Sequence, residues 1–236
     1  MHVAVIPARS GSKGVPHKNM LHLWGHTLIA WAARCAQKAG VFSRIVLSTD
    51  SEEYAAEGIR HGCTVPYLRP NILARDEAPV AQTLLELLSR VEEADRWETL
   101  CLIEPTCPLR TPEMVAACLR LVADNAAVDS SLTLTPVPVR YHYLKQFTMD
   151  EKEDAIHCHP DAVTIANRQE LKASFIRNGA AYVMRCSSLR KTGQILHGRV
   201  RGLVISERLV NIDSNEDIDE LRQMESKVLG PRWWAC

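Results

Sequence analysis

The sequence predicts an α/β protein of three layers, in which a mostly parallel sheet carries helices on both faces. Three observations lead to this prediction. Short apolar runs alternate with stretches in which apolar residues recur every three or four positions. Several helical stretches begin after Ser, Thr or Asp residues, which cap helices well. The length of 236 residues suits one domain with an insertion better than two large domains.

The first third of the chain shows the alternation clearly. Residues 3–8 predict a buried strand that runs into a glycine-rich turn, and residues 27–38 predict a helix with an apolar inner face. Residues 44–48 predict the second strand, and residues 63–68 predict a third one after another helix. We interpret Asp50 as part of the cap of that helix, rather than as a catalytic residue.

The same rhythm continues towards the end of the chain. A Thr-Pro-Glu sequence from Thr111 predicts a helix with a threonine cap and a proline in its first turn. Helices that connect parallel strands in this way lie on both faces of a sheet. The other predicted elements are a helix over 80–91, strands over 99–103, 131–135, 180–184 and 203–205, and a last helix from Ser214.

The alternation fails between Pro136 and Ile176, where prolines, polar runs and short aromatic patches replace it. We predict one domain over residues 1–236, with an insertion at about 137–176. This insertion is expected to cover part of a site or to pair with another subunit.

Composition excludes several classes of function. Lys and Arg total 28, as do Asp and Glu, so the chain has no overall basic field for nucleic acid or for an anionic membrane. No apolar run approaches the ~18 residues of a membrane span. The eight cysteines form no CxxC pair, which predicts reduced thiols and a cytoplasmic protein.

A glycine-rich turn at Arg9–Gly14 follows the first predicted strand, where ligands of open α/β sheets bind. Its glycines allow backbone N–H groups to approach phosphate oxygens, and Lys13 and Lys18 add positive charge. The spacings GxxxxGK[ST] and GxGxxG are both absent. The turn therefore predicts a phosphate site of another kind, the alternative being a solvated turn.

The segment IPARSGSKGVPHKN at residues 6–19 resembles the first motif of the CMP-sialic acid synthetase family, the sugar-acid cytidylyltransferases. The resemblance extends over roughly residues 2–225. The further matching motifs are, in order, Ser48-Thr49-Asp50, Leu68-Arg69-Pro70 with Asp76, Glu104 to Arg110, Asn178 to Tyr182, and Asn211-Ile212-Asp213.

The resemblance implies a Rossmann-like fold of the nucleotide-diphospho-sugar transferase type. It implies transfer of CMP from CTP to an acidic acceptor, most simply a nonulosonic sugar acid of the sialic, legionaminic or pseudaminic type, with release of pyrophosphate. Such a transfer depends on positioning and on charge neutralisation. The family also suggests a homodimer in which the insertion reaches the neighbouring site.

The same resemblance assigns residues to the reaction. Arg9, Lys13 and Lys18 would be the catalytic cations. The nucleotide would be bound by Arg9, Ser10, Gly11, Ser12, Lys13, Gly14, Lys18, Asn19, Arg69, Ala78 and Thr106. The acceptor would be bound by Glu104, Arg110, Lys145, Arg177 and Asn178.

Asp213 would hold Mg²⁺, but the motif departs here from the family pattern. The family usually has Asp-x-Asp where this chain has Asn211 and Asp213, and usually has Gln at the position of Glu104. An amide oxygen can bind Mg²⁺ but adds no charge. We hypothesise that Glu104 restores the missing carboxylate, with Asn211 as a further ligand.

A second departure concerns the acceptor. Many family members have an arginine two residues before the Asn-Gly pair, where this chain has Ile176, and its arginine is Arg177. In a regular strand a shift of one residue turns a side chain to the opposite face, so Arg177 is expected to point away from the acceptor. Two alternatives follow: a CTP-dependent enzyme acting on a phosphonate, and a non-catalytic nucleotide-binding domain.

Overall fold

The computed structural model describes residues 1–12, 14–164 and 171–225. The strands are β1 (His2–Pro7), β2 (His22–Leu23), β3 (His26–Thr27), β4 (Arg44–Ser48), β5 (Thr99–Leu102), β6 (Ser130–Pro136), β7 (Phe147–Met149), β8 (Ala155–His157), β9 (Phe175–Arg185) and β10 (Val200–Val204). Six of them form a sheet of the order β10-β6-β9-β5-β1-β4. In this sheet β9 is antiparallel to both of its neighbours, whereas the other pairs are parallel.

Helices cover both faces of this sheet, as the alternation predicts. The helices are α1 (Leu28–Ala39), α2 (Glu52–Arg60), α3 (Val80–Arg90), α4 (Pro112–Ala123), α5 (Cys186–Thr192) and α6 (Asn215–Glu225). On β1, Ala4 and Ile6 pack in the apolar cluster that contains α1, α2 and α4. Val3 and Val5 pack on the other face, in the cluster that contains α3 and α5, and all four side chains are fully buried. Because successive side chains of a strand point to opposite faces, a strand covered on both faces is apolar throughout.

The predicted helix cap at Thr111 is confirmed, and Thr27, which was predicted as the first residue of a helix, also caps one. Thr27 Oγ1 accepts a hydrogen bond from the Ala30 N–H at 3.0 Å, and Thr111 Oγ1 accepts one from the Met114 N–H at 3.4 Å. Side-chain oxygens at this position satisfy N–H groups that have no partner within the helix.

The predicted strand over 63–68 is wrong. Only Thr64 bridges to the sheet, opposite Val46. Pro66 has no N–H to continue a ladder, and the chain then turns so that the Arg69 N–H donates to the Thr49 carbonyl at 2.7 Å. This segment brings Arg69 to the carboxyl end of β4 instead of extending the sheet.

A third apolar cluster lies beside the glycine-rich loop. It joins Val15 after the loop, Trp31 on α1, Ile212, and Leu221 on α6, with Leu221 and Ile212 fully buried. Burial of this apolar surface holds the segment that contains Asp213 against the loop.

The region of the predicted insertion contains short 3₁₀ turns and the β7–β8 hairpin. Its predicted limits, 137–176, and its pairing with a second subunit stay predictions, and residues 165–170 lie outside the described part. Large apolar side chains of this region are exposed, among them Tyr141, Phe147, Met149, Ile156 and Val163.

The seven cysteines in the described ranges are free thiols, and six of them are buried, in line with the predicted reduced state. Within these ranges, no helix combines the length and the apolar character needed to cross a membrane.

Candidate active site

A cleft of about 580 Å³ opens at the carboxyl ends of β1, β4 and β5. Its described lining carries five basic side chains (Arg9, Lys18, Arg69, Arg75 and Arg177) and three acidic ones (Asp76, Glu104 and Asp213). The protein is neutral overall. The cleft therefore concentrates positive charge locally, as an anion site requires.

Most of the residues that the resemblance assigned to the site meet in this cleft. Those on its wall are Arg9, Ser12, Gly14, Lys18, Asn19, Arg69, Ala78, Glu104, Thr106, Arg177, Asn211 and Asp213. Ser10, Gly11, Arg110, Lys145 and Asn178 are not on its wall. Lys13 lies outside the described residues, so its role stays a prediction.

The start of the glycine-rich loop is held by two side chains. The Asn19 amide donates to the Arg9 carbonyl at 3.0 Å from a buried position. The Asp50 carboxylate accepts hydrogen bonds from the Ser10 N–H at 2.8 Å and from the Ser10 hydroxyl at 2.7 Å. The interpretation of Asp50 as a helix cap is wrong, because the side chain that caps α2 is that of Ser51.

Arg9 is tied to the segment that follows Arg69. Its guanidinium forms an ion pair with Asp76 and donates to the Ala74 carbonyl at 3.4 Å. Asp76 also lines the cleft, so the ion pair between Arg9 and Asp76 sets the distance between the glycine-rich loop and the opposite wall.

The far end of the loop touches the segment 211–213. A Cβ atom at position 14 would lie 2.6 Å from the Asp213 carbonyl oxygen, so only glycine fits there. The Lys18 ammonium donates to the Ile212 carbonyl at 2.7 Å and lies 3.3 Å from Asp213 Oδ1. The loop and the predicted metal-binding segment thus form one unit.

Arg69 is buried beneath the cleft. Its Nε donates to the Ser48 hydroxyl at 3.1 Å and its Nη2 to the Ser48 carbonyl at 2.5 Å. Burial lowers the pKa of Arg69 to about 10, so the guanidinium stays charged at neutral pH. It supplies a fixed positive charge at the end of β4.

Glu104 follows β5 and is partly buried. Burial raises the pKa of its carboxyl group, while the nearby cations Arg110, Arg177 and Lys18 partly offset the increase. A carboxylate kept in this environment costs stability when it is ionised, which is typical of a functional group.

Glu104→Gln is expected to raise the melting temperature at neutral pH. A carboxyl group whose pKa is raised in the folded state contributes its full stability below its unfolded pKa of about 4.3, and that contribution is lost as pH rises through the folded value. The gain over wild type should therefore shrink as pH falls towards about 4. Thermal unfolding from about pH 4 to pH 8 measures it, and a variant that melts below wild type at pH 7 would contradict the argument.

Arg177 lines the cleft, so the expectation that it points away is wrong. The ladder between β6 and β9 pairs Leu132 with Tyr182 but Leu134 with Arg177, so five steps along β9 match two along β6. This bulge contains Gly179, whose φ is +73°. The bulge breaks the regular alternation on which the expectation rested and turns Arg177 towards Glu104.

A second cavity of about 570 Å³ adjoins the first. The two share Val80, Glu104, Arg177 and Tyr182 as lining residues. The rest of the second cavity is largely apolar, with Leu102, Ile195 and Leu196 on its wall beside Gln194. The two cavities therefore meet at Glu104 and Arg177.

Arg110 and Asn178 shape the wall from behind. Arg110 is 1% exposed, and its guanidinium donates to the Cys107 carbonyl at 3.0 Å and to the Glu104 carbonyl. The buried Asn178 amide donates to Thr135 at 3.1 Å. Lys145 is exposed in the insertion and lines neither cavity.

Sequence reasoning missed several residues of the site. Thr83 on α3 and Tyr182 on β9 line the first cavity, and Arg75 adds a basic group. Thr83 is buried on a helix that was recognised only from its apolar face. Asp50 belonged to a matched motif, and that match was the signal for a role beyond capping.

The residues around Asp213 supply part of the ligands that a magnesium ion would need, and substrate phosphates would have to supply others. Asp213 has an exposed carboxylate that faces the cleft, and Asn211 donates its amide N–H to the Asn178 carbonyl at 2.9 Å. Mg²⁺ is commonly bound by one or two carboxylates together with substrate phosphates. Among the described residues, no three His, Cys, Asp or Glu side chains are grouped to hold a metal ion.

A glycine-rich loop with basic side chains at the carboxyl ends of parallel strands, with carboxylates across a two-part cleft, suits the binding of a nucleoside triphosphate. The sequence matches the family described as "Cytidylyltransferase" over residues 3–225. The chain belongs to this family and is an enzyme of the cytidylyltransferase class, as the resemblance predicted.

Individual relatives agree with this assignment. The chain is 26% identical over 218 residues to CMP-N,N'-diacetyllegionaminic acid synthase of Legionella pneumophila, covering 92% of each protein. It is 31% identical over 199 residues to N-acylneuraminate cytidylyltransferase of Escherichia coli, covering 77% of this chain and 46% of that protein. It is 24% identical to pseudaminic acid cytidylyltransferase of Campylobacter jejuni, covering 92% and 93% of the two chains.

Solved structures confirm the predicted fold class. CMP:2-keto-3-deoxy-manno-octonic acid synthetase, solved in complex with CTP, superimposes with a TM-score of 0.74 at 16% identity, covering 96% of this chain and 98% of that one. A cytidylyltransferase from Leptospira borgpetersenii gives a TM-score of 0.63 at 14% identity, covering 98% and 88%.

Proposed function

We propose that this cytidylyltransferase transfers CMP from CTP to a nonulosonic sugar acid and releases pyrophosphate. The names of its relatives support this proposal, because each describes the formation of a CMP-linked or cytidylylated acid of this class. The motifs that resemble those of sugar-acid cytidylyltransferases agree with those names.

The observation that carries the proposal is the junction of the two cavities at Glu104 and Arg177. The first cavity has the basic loop that suits a triphosphate, and the second has an apolar wall that suits the substituents of a sugar. Arg177 is exposed at the junction, where a guanidinium can pair with the acceptor carboxylate in a bidentate manner.

In the proposed reaction, an acceptor hydroxyl oxygen attacks the α-phosphorus of CTP, and the bond to pyrophosphate breaks. Lys18 and the backbone N–H groups of the loop stabilise the charge that builds on the leaving pyrophosphate. Glu104 is the carboxylate common to both cavities, and its raised pKa suits it to accept the hydroxyl proton.

We propose that Asp213 holds a magnesium ion, with Asn211 and Glu104 beside it. A bound Mg²⁺ would neutralise phosphate charge during transfer. Asp213 is suited to this role because its side chain is 83% exposed at the cleft while its backbone contacts the loop at Gly14.

We also propose a cytoplasmic homodimer. Lys145 lies away from the cleft of its own chain, in a region whose large apolar side chains are exposed. Pairing of two chains through this region would bury those side chains and bring Lys145 towards the neighbouring acceptor.

Pyrophosphate release from CTP should occur with sialic, legionaminic or pseudaminic type acids. Arg177→Ala should raise the KM for the acceptor by about 10- to 100-fold and leave the KM for CTP unchanged, because a lost charged hydrogen bond costs about 1.5–3 kcal/mol. Arg120→Ala, an exposed arginine of α4 remote from both cavities, is the matched control.

Two results would contradict the proposal. Turnover with phosphonates but not with sugar acids would favour the alternative acceptor. Binding of CTP with no turnover on any acceptor in the panel would favour a non-catalytic role, despite the family to which the chain belongs.

A further inference from the structure

The residues that follow β4, up to the first turn of α2, contact the glycine-rich loop and the residues just after it at two points. Both oxygens of the Asp50 carboxylate are engaged by Ser10, through its N–H at 2.8 Å and its hydroxyl at 2.7 Å. Further along, the Tyr54 hydroxyl lies 3.4 Å from Nδ1 of His17, a residue with a φ of 51°. We propose that Asp50 is a positioning residue that holds the glycine-rich loop, Arg9–Gly14, in its nucleotide-binding conformation.

Capping does not account for Asp50. The first turn of α2 is capped by Ser51, whose hydroxyl accepts from the Tyr54 N–H at 3.4 Å. Asp50 does not line either cavity at the active site, so it acts on the nucleotide only through Ser10. Its role is therefore positioning and not catalytic.

A carboxylate beside a triphosphate site would be unfavourable without compensation. Here the Asp50 carboxylate lies within electrostatic range of the buried Arg69 and favours the charged form of its guanidinium. Arg69 is in turn anchored to Ser48 at the end of β4. The loop is thus hydrogen-bonded to Asp50 through Ser10, and the negative charge of Asp50 is offset by the nearby positive charge of Arg69.

The contacts of Asp50 also separate the groups that anchor the loop from the groups that face the cleft. Because the N–H and hydroxyl of Ser10 point to Asp50, the groups of the loop that face the cleft come from its other residues, among which Arg9, Ser12 and Gly14 line the wall. Fixing the loop before the nucleotide arrives removes an ordering cost from binding, because backbone residues that become ordered lose conformational entropy.

This inference rests on the proposed use of CTP, and its test is CTP binding without acceptor. We expect Asp50→Ala to weaken CTP binding by about 10- to 100-fold in isothermal titration calorimetry. Asp50→Asn should bind more tightly than the alanine variant, because its amide oxygen still accepts the Ser10 N–H. In the acceptor assay, the loss should appear mainly in the KM for CTP, with kcat at saturating CTP nearly retained.

Ser51→Ala is the matched control. It removes the helix cap from the neighbouring position, so it should lower the melting temperature without changing the Kd for CTP. Ser10→Ala completes a double-mutant cycle, in which its effect in the Asp50→Ala background should vanish. If Asp50→Ala fails to fold, Ser10→Ala by itself should still weaken CTP binding relative to Ser51→Ala, because it removes the hydrogen bond from the Ser10 hydroxyl to Asp50.

The inference is overturned if Asp50→Ala binds CTP as tightly as wild type, or if the effects of the Asp50 and Ser10 substitutions simply add. Wild-type protein that binds CTP but uses no sugar acid would contradict the proposed function and leave this test intact. Wild-type protein that binds no CTP would overturn both.

Discussion

Lys18→Met is expected to lower kcat/KM for CTP by about 10²- to 10³-fold, the loss that follows removal of one donor aimed at developing charge. The Lys18 side chain is only 16% exposed and lines the cleft, so its charge is little screened by solvent. Methionine keeps most of the apolar stem and removes the ammonium. It also removes the 2.7 Å hydrogen bond to the Ile212 carbonyl and the contact with Asp213.

Steady-state kinetics with varied CTP measures the effect on catalysis, and calorimetry measures the effect on CTP binding. Lys191→Met is the matched control, because Lys191 is an exposed lysine in the last turn of α5. We expect both kcat and the affinity for CTP to fall in the Lys18 variant, since in the proposed reaction the ammonium stabilises the charge of the phosphates. If the Lys18 variant has the same kinetic constants as the Lys191 variant, Lys18 takes no part in binding CTP or in its reaction.

Gly14→Ala is expected to destabilise the protein by about 1–3 kcal/mol and to weaken CTP binding strongly, because it forces extra volume into a closely packed contact. The new Cβ atom would lie 2.6 Å from the Asp213 carbonyl oxygen. That carbonyl cannot move freely. The N–H groups of Asp213 and Ser214 both donate to the Asp217 carboxylate, at 2.9 and 2.8 Å, and the buried Ile212 packs beside them.

The loop must therefore shift, and the donors it presents to the nucleotide shift with it. Urea unfolding and CTP titration measure the two effects. Gly11→Ala is a control for stability, because a Cβ atom at position 11 of the same loop would meet nothing within 4 Å. A Gly14 variant as stable as the Gly11 variant would show that the loop and the segment 211–213 are not in contact.

The elements that were predicted correctly depend on local patterns. The strand at Arg44–Ser48 was predicted with its observed limits, the helix capped by Thr111 begins where its cap predicts, and the helix predicted over 27–38 is observed over Leu28–Ala39. In each case the deciding interaction lies within a few residues of the sequence, so the pattern contains the information.

Two interpretations failed because distant residues decide them. Asp50 resembles a helix cap in the sequence, but Ser10, which lies 40 positions earlier, engages both of its oxygens. Arg177 resembles a residue on the outer face of a strand, but its pairing opposite Leu134 depends on a bulge at Gly179. A regular alternation cannot anticipate a bulge, because the partner strand sets the register.

The sequence by itself determined the fold class and the position of the phosphate loop, since both follow from periodicity and from residues that are adjacent in the chain. Only the tertiary structure decided which side chains act together. It placed Asp50 under the loop, Arg110 behind the cleft and Arg177 at the junction of the two cavities. The physical reason is that hydrogen bonds and close packing act over a few ångströms in space, whatever the separation along the chain.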